Sequence, residues 1–204
     1  MNNASDLPPD PFTRFRQWFD AWIATGAPEP HAMVLATVDA GGMPWQRTVL
    51  LKQADNAGFV FFTNRESNKG LQLAANARAS LHFLWLDRNN GHRQVLVQGH
   101  TAPTSPAQDD AYFASRPRES QLGAWASVQS RPLASREELL ARFHDRERQY
   151  AGGPVPRPPH WGGYCVIPER IEFWQAGAHR LHDRFVYARD AGDRTRWTIT
   201  RLNP

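Results

Sequence analysis

A mainly β architecture with peripheral helices, a barrel or a sandwich, is what this sequence predicts. Three observations carry that expectation. Six or more short strand-like runs punctuate the chain, with a few helical segments between them. The early runs are joined by tight turns such as Gly41-Gly42, so they pair antiparallel. No glycine-rich fingerprint leads from a strand into a helix, so neither a dinucleotide-binding unit nor a P-loop is supported.

The elements follow in order. Asp10-Pro11 opens a helix, with Asp as N-cap and Pro in the first turn. Phe12, Phe15, Phe19, Trp22 and Ile23 recur at helical spacing and give it one apolar face, and Gly26 and Pro28 end it. Residues 33–39 and 45–52 read as strands on either side of the Gly41-Gly42 turn. Residues 58–63 form a third strand, whose run Phe59-Val60-Phe61-Phe62 is too apolar to have a wet face. Ser67 caps a helix reaching Ala75, and residues 79–85 and 94–101 make a further hairpin pair. A short helix is expected over 109–115. Ser135 with Glu138 three residues on is a capping box, opening a helix to Tyr150. After the Gly- and Pro-rich loop 152–159, strands are expected at 164–166, 171–174, 184–188 and 197–200. Residues 1–204 read as one domain, with 1–9 flexible.

Composition narrows the function classes. At 204 residues the chain can bury roughly 70% of its unfolded surface. Mean hydropathy is -0.61, and no stretch approaches the ~18 apolar residues of a membrane span. Cys165 is the single cysteine, so neither an internal disulfide nor a cysteine zinc site is available. It reads as a buried strand thiol rather than a nucleophile. No basic stretch followed by an apolar one opens the chain, which points to the reducing cytoplasm. The net charge of +4 calls for an anionic partner: nucleic acid, a phosphorylated metabolite and a phosphate-bearing cofactor all fit. No basic run interleaved with aromatics is visible, so nucleic acid rests on charge alone. Of 24 Lys and Arg residues only Lys52 and Lys69 are lysine. Against that arginine bias, they mark places where a compact ammonium is wanted.

Four segments concentrate the chemistry. Arg47 and Lys52 bracket an apolar strand, Thr48-Val49-Leu50-Leu51, and strict alternation puts them on opposite faces. Residues 63–69 lie where a strand turns into a helix; free N–H groups there favour an anion, and Lys69 adds charge that the helix itself does not want. His179-Arg180-Leu181-His182-Asp183-Arg184 packs two Arg and two His into six residues. If extended, Arg180, His182 and Arg184 share a face suited to an anion, while the His-x-x-His spacing splits metal ligands between faces. On a helix Tyr112 and Arg116 stand one turn apart and, with Ser120, suit a phosphate ester. Each has a plain alternative as a solvated strand end, an ordinary capped helix or a charged surface. Gln94, Gln129 and Ser130 are neutral polar groups of the kind that read the edge of a flat heterocycle. No Ser/His/Asp set, HExxH or paired carboxylates occur. Anion capture without a nucleophile suits an enzyme whose cofactor carries the reaction.

The chain resembles the pyridoxine (pyridoxamine) 5′-phosphate oxidases from about Asp10 to Pro204. The resemblance is carried by Arg47-Thr-Val-Leu-Leu-Lys52, Phe62-Thr-Asn with Ser67-Asn-Lys69-Gly, Arg93-Gln94-Val, Tyr112-Phe-Ala-Ser-Arg116 with Ser120-Gln-Leu-Gly-Ala-Trp125, Gln129-Ser130, Trp161-Gly-Gly, and Ile171-Glu-Phe-Trp174 ahead of His179-Arg-Leu-His-Asp-Arg184. It implies an FMN-binding split β-barrel acting as a homodimer, with the flavin between subunits. FMN contacts would fall on Arg47, Thr48, Val49, Leu50, Phe62, Thr63, Asn68, Lys69, Gln94, Gln129, Ser130, Trp174 and Arg184. The substrate phosphate would be held by Lys52, Tyr112, Arg116 and Ser120, with Arg180 and His182 as catalytic residues over the pyridine ring. The implied reaction oxidises C4′ of pyridoxine or pyridoxamine 5′-phosphate by hydride transfer to flavin N5, with O2 reduced to peroxide. Relatives on the same fold acting on phenazine precursors, and a non-catalytic flavin carrier, are the competing readings. Two departures stand out. Asn68 takes a place where the family commonly has Arg, for which Arg65 could compensate, and nothing before Asp6 matches the family's Arg- and Tyr-bearing closing segment.

Overall fold

The computed structural model describes residues 4–87 and 91–204. Helix α1 (Pro11–Ile23) begins where the Asp10 carboxylate accepts from the N–H groups of Phe12 (3.2 Å) and Thr13 (2.8 Å). Two of the donors that a helix start leaves open are thereby satisfied. Its apolar face is buried at Phe12, Phe15 and Trp18. Phe15 meets Phe59 and Phe83 edge-on at 5.0 and 5.1 Å, and Trp18 meets Phe173 at 5.3 Å. Each ring contributes about 1.5–3 kcal/mol by burial, so this contact fixes the helix against the sheet.

Among the described residues, the sheet has nine strands. β1 (Ala32–Val38) and β2 (Pro44–Leu50) form the first hairpin, and the short β3 (Gln53–Asp55) pairs with β4 (Gly58–Asn64). After α2 (Asn68–Ala75), β5 (Arg78–Trp85) and β6 (Arg93–Pro103) form the second hairpin. Helices α3 (Pro106–Ala114), α4 (Arg118–Ala126) and α5 (Arg136–Gln149) precede the long β7 (Trp161–Gln175), then β8 (Asp183–Arg189) and β9 (Trp197–Leu202). The order is β2-β1-β5-β6-β7-β4-β3, with β8 on β7 and β9 on β8. The ends of that path, β2 and β3, are joined by Leu51 and Lys52 alone. Leu51 N–H bonds to the His31 carbonyl on one side (2.9 Å), and Lys52 N–H bonds to the Val60 carbonyl on the other (2.8 Å). Two residues thus carry the chain from one edge to the other, which curls the sheet into a barrel. Inward residues such as Leu35, Phe61, Leu81 and Val97 are wholly buried. A second apolar cluster of Phe113, Leu122, Val155 and Trp161 lies beneath α3 and α4.

The structure corrects the sequence reading in several places. β7 is one strand where 164–166 and 171–174 were expected as two. Pro168, inside this strand, lies opposite a register shift between Gln98 and Gly99, where a residue without an N–H is tolerated. A Cβ on Gly99 would sit 2.0 Å from the Ile167 carbonyl oxygen, so only glycine allows this approach. Helix α4 was not expected; it follows Pro117 without a side-chain cap. β2 stops at Leu50, so Lys52 lies past its end and the alternation that separates it from Arg47 does not reach it. In the capping box Ser135 Oγ accepts from Glu138 N–H (3.2 Å), but Glu138 reaches back to Ala134 N–H rather than to the cap (3.3 Å).

Of the segment expected to be flexible, residues 1–3 lie outside the described residues; beyond them Leu7 is buried and Pro8 accepts the Tyr187 hydroxyl (2.9 Å). Cys165 is half-buried, and burial, then Asp55, push its thiol pKa up, keeping it protonated. Among the described residues, no helix is long and apolar enough to cross a membrane.

Candidate functional site

A cavity of about 720 Å³ opens between the end of β2, β4, the start of α2 and helices α3 and α4. Eleven of the expected contacts line it: Thr48, Val49, Leu50, Phe62, Thr63, Lys69 and Gln129 from the flavin group, and Lys52, Tyr112, Arg116 and Ser120 from the substrate group. Its floor is aromatic. Phe62 stacks on Tyr112 at 4.2 Å and on Trp161 at 5.3 Å, with planes 18° and 7° apart. The floor exists because Gly163 follows Trp161 closely: a Cβ there would lie 2.8 Å from the Phe62 ring.

Cations surround this floor, and their polar partners are neutral. Lys69 is 9% exposed in the first turn of α2, and its Nζ donates to Ser67 Oγ (3.2 Å) and Gln129 Oε1 (3.3 Å). Burial, and then the charge of Arg47, hold its ammonium below the ordinary lysine pKa. Arg47 lies behind the cavity wall. Its Nη1 donates to Thr37 Oγ1 (2.6 Å) and more weakly to the Leu35 carbonyl (3.4 Å), and its Nη2 to Gln72 Oε1 (2.9 Å). Burial lowers its pKa as well. Arg116, just after α3, places its guanidinium 4.9 Å over Trp161, and its Nη1 is buried without a hydrogen bond. Lys52 Nζ stands 5.7 Å over the Tyr112 ring. Among the described residues, Arg47, Lys52, Lys69 and Arg116 form no ion pair with a carboxylate, whereas Arg65 pairs with buried Asp109 and Arg170 and Arg184 pair with buried Glu172. Cations gathered around stacked rings without counter-ions form a receptor for anionic, flat molecules.

The remaining expected residues lie elsewhere in the protomer. Gln94, Trp174 and Arg184 are cross-strand neighbours on β6, β7 and β8, a row on one sheet face. Gln94 Oε1 meets His82 Nε2 at 3.2 Å, and Arg184 is paired with Glu172 at 2.7 Å. The His182 ring lies 4.6 Å from Trp174, and its Nδ1 accepts from Gly177 N–H (3.2 Å). Arg180, His182 and Arg184 do not share an extended face. His179 and Arg180 have φ of 56° and 63° in a 3-10 turn, and only Arg184 is in a strand. The turn forms because Gly177 folds against the Leu181 carbonyl, where a Cβ would be 1.9 Å away. Asn68 opens α2 beside the cavity without lining it, and Ser130 occupies an exposed turn at φ 69°. Arg65, expected as a possible substitute for an arginine at position 68, is paired with buried Asp109 (2.9 Å) and donates to the Gly163 carbonyl (3.2 Å).

Sequence reasoning missed Trp161 as a floor residue, and Thr37 and Gln72 behind Arg47. Thr37 had a signal, since it takes the inward parity of Met33 and Leu35 on an otherwise apolar face. Gln72 had none.

Comparison with known proteins points to one family. The family described as pyridoxamine 5′-phosphate oxidase matches residues 19–150, and the pyridoxine 5′-phosphate oxidase C-terminal dimerisation region matches residues 161–204. A pyridoxine/pyridoxamine 5′-phosphate oxidase of Pseudoalteromonas translucida is 53% identical over 195 residues, covering 96% of this chain and 90% of its own. One from Paraburkholderia phymatum is 52% identical over 200 residues, covering 98% and 92%. Among solved structures, PhzG from Burkholderia lata, in complex with tetrahydrophenazine-1-carboxylic acid, superposes with a TM-score of 0.90 at 31% identity, covering 100% of this chain and 97% of that one. An FMN-binding protein of Nostoc punctiforme, at a TM-score of 0.72 and 16% identity (97% of this chain, 100% of that one), shares the fold, a split β-barrel. The match of both regions, together with relatives identical at half their positions, makes this chain a member of the pyridoxine/pyridoxamine 5′-phosphate oxidase family.

Proposed function

We propose that this protein is an FMN-dependent oxidase that converts pyridoxine or pyridoxamine 5′-phosphate to pyridoxal 5′-phosphate, with O2 as electron acceptor and hydrogen peroxide as co-product. The observation that carries the reading is the buried, unbonded Nη1 of Arg116 on a wall shared with Lys52, Tyr112 and Ser120. Buried guanidinium N–H groups are rarely left without an acceptor, and a phosphate ester supplies one. FMN fits the opposite wall. Lys69 and Arg47 offer two cations with neutral partners for its phosphate, and Gln129, Thr63 and the 48–50 backbone line the approach.

When bound, the flavin supplies the hydride acceptor for C4′. The protein's own share is position and charge. Lys52, Tyr112, Arg116 and Ser120 grip the substrate phosphate, and the aromatic floor keeps water from one side of the cavity. Arg180 and His182 orient the pyridine ring and balance charge at the reacting carbon. They, with Gln94, Trp174 and Arg184, do not line the cavity of their own protomer. We therefore assign them to the cavity of a second copy in a homodimer, an arrangement supported by the match of residues 161–204 to a dimerisation region. The reading belongs to a cytoplasmic enzyme of vitamin B6 synthesis.

A second reading follows from PhzG: a same-fold oxidase acting on a tricyclic carboxylic acid. One experiment separates the two. FMN-loaded protein is mixed anaerobically with pyridoxine 5′-phosphate, with unphosphorylated pyridoxine, or with a reduced phenazine carboxylic acid. Bleaching of the flavin by the phosphate ester alone is expected. Bleaching only by the phenazine acid would establish the second reading, and a protein that cannot be loaded with FMN would eliminate both.

A further inference from the structure

Behind the anion-binding wall, Arg47 is held by two buried groups that carry no charge. Thr37 is 1% exposed and Gln72 is 8% exposed. Thr37 Oγ1 donates to Gln72 Oε1 (2.6 Å) and accepts from Arg47 Nη1 (2.6 Å), while Gln72 Oε1 also accepts from Arg47 Nη2 (2.9 Å). The three side chains, from β1, α2 and β2, close a triangle of hydrogen bonds in which the Thr37 hydroxyl and two guanidinium nitrogens of Arg47 have defined acceptors. A buried or half-buried arginine is ordinarily paired with a carboxylate, and this protein does so elsewhere: Arg65 with Asp109 and Arg184 with Glu172. At Arg47 the same orienting task is given to an amide and a hydroxyl. An amide oxygen fixes the guanidinium plane as a carboxylate would, yet leaves its charge uncancelled.

We propose that Thr37 and Gln72 are positioning residues that aim Arg47 while keeping its full charge available to the phosphate of the cofactor, and that the neutrality of residue 72 is the property that matters. The inference rests on the FMN reading above. It predicts that the amide and the carboxylate differ sharply at this position although their shapes are nearly the same. In Gln72→Glu the carboxylate still accepts from Thr37 and Arg47, so the triangle survives and the fold gains an ion pair. The cation, however, is now spent within the protein, and a dianionic phosphate meets Lys69 alone.

The test is binding of FMN and of riboflavin to the apoprotein, followed by flavin fluorescence, beside a thermal melt. Wild type should bind FMN much more tightly than riboflavin. Gln72→Glu should melt no lower than wild type, lose about 10- to 100-fold in FMN affinity, and keep its riboflavin affinity. If it retains wild-type preference for FMN, the inference is overturned. Should Gln72→Glu fail to fold, Thr37→Val decides. It removes one leg of the triangle without adding charge, and must reduce the FMN-to-riboflavin preference several-fold; an unchanged ratio overturns the inference. Wild-type protein that binds neither flavin, or both equally, refutes the FMN reading itself and is thereby told apart from failure of this proposal.

Discussion

Replacing Arg116 by methionine tests the substrate-phosphate assignment where structure and function pull in opposite directions. The guanidinium lies 4.9 Å over Trp161 and 5.5 Å over Phe113, so its stem fills space that an unbranched apolar side chain of similar length can also fill. Burial holds its pKa below the ordinary arginine value, Tyr112 opposing, so the free protein tolerates this charge at a cost. Its Nη1 has no hydrogen bond to lose. The apoprotein should therefore melt at the same temperature as wild type or slightly above. Binding of a phosphate ester should suffer. A charge-assisted hydrogen bond to a charged group is worth about 1.5–3 kcal/mol, which corresponds to about a 10- to 150-fold rise in KM. Initial rates of pyridoxal 5′-phosphate formation give that KM, flavin fluorescence gives the FMN affinity, and a melt gives stability. FMN affinity should stay within about twofold, because Arg116 belongs with Lys52, Tyr112 and Ser120 in the substrate-phosphate group and not with the flavin group. A wild-type KM would refute the assignment of this arginine to the substrate phosphate. So would a lowered melting point accompanied by equal losses of flavin and substrate, since that pattern means the side chain only holds the wall together.

Two further outcomes follow from named contacts. Lys69 has a lowered pKa in the free protein, and a bound phosphate would raise it; FMN affinity should thus be intact at neutral pH and fall as pH rises through the free-state value, below the ordinary lysine range, while Lys69→Arg moves that fall to higher pH. A flat FMN titration across the alkaline range would exclude Lys69 from the phosphate site. Gly99→Ala should destabilise by about 1–3 kcal/mol, or very roughly 2–12 °C in Tm, because its Cβ would stand 2.0 Å from the Ile167 oxygen; Gly153→Ala, with nothing within 4 Å, should be near neutral in the same melt.

How far the sequence spoke for the site depended on whether each contact was local. The start of α2 was legible because Ser67 and Lys69 act within one turn, where capping and helix polarity are short-range rules. The convergence of Tyr112, Arg116 and Ser120 was legible for the same reason, although the expected helix stopped short of the true arrangement, two helices meeting at Pro117. The relation of Arg47 to Lys52 was not. Alternation holds only while the strand lasts, and β2 ends at Leu50 because the chain crosses there from the His31 side of the sheet to pair with Val60 on β4, a crossing that period-2 patterning does not register. The turn at His179-Arg180 escaped for a different reason. Two residues with positive φ that are not glycine contradict local preference, and they are held by the closed loop around Gly177.

That last failure bears on function. Had residues 180–184 been extended, Arg180, His182 and Arg184 would share a face; the structure instead bends the segment between β7 and β8, and His182 folds back toward Trp174. A backbone held against its preference needs a reason, and stability alone supplies a poor one, since each such residue costs on the order of 1–3 kcal/mol. The turn takes Arg180 out of the strand register, which fits the proposal that it serves the cavity of a second copy. The strain thus supports the arrangement proposed above, in which each protomer would hold the phosphates and its partner would close over the rings.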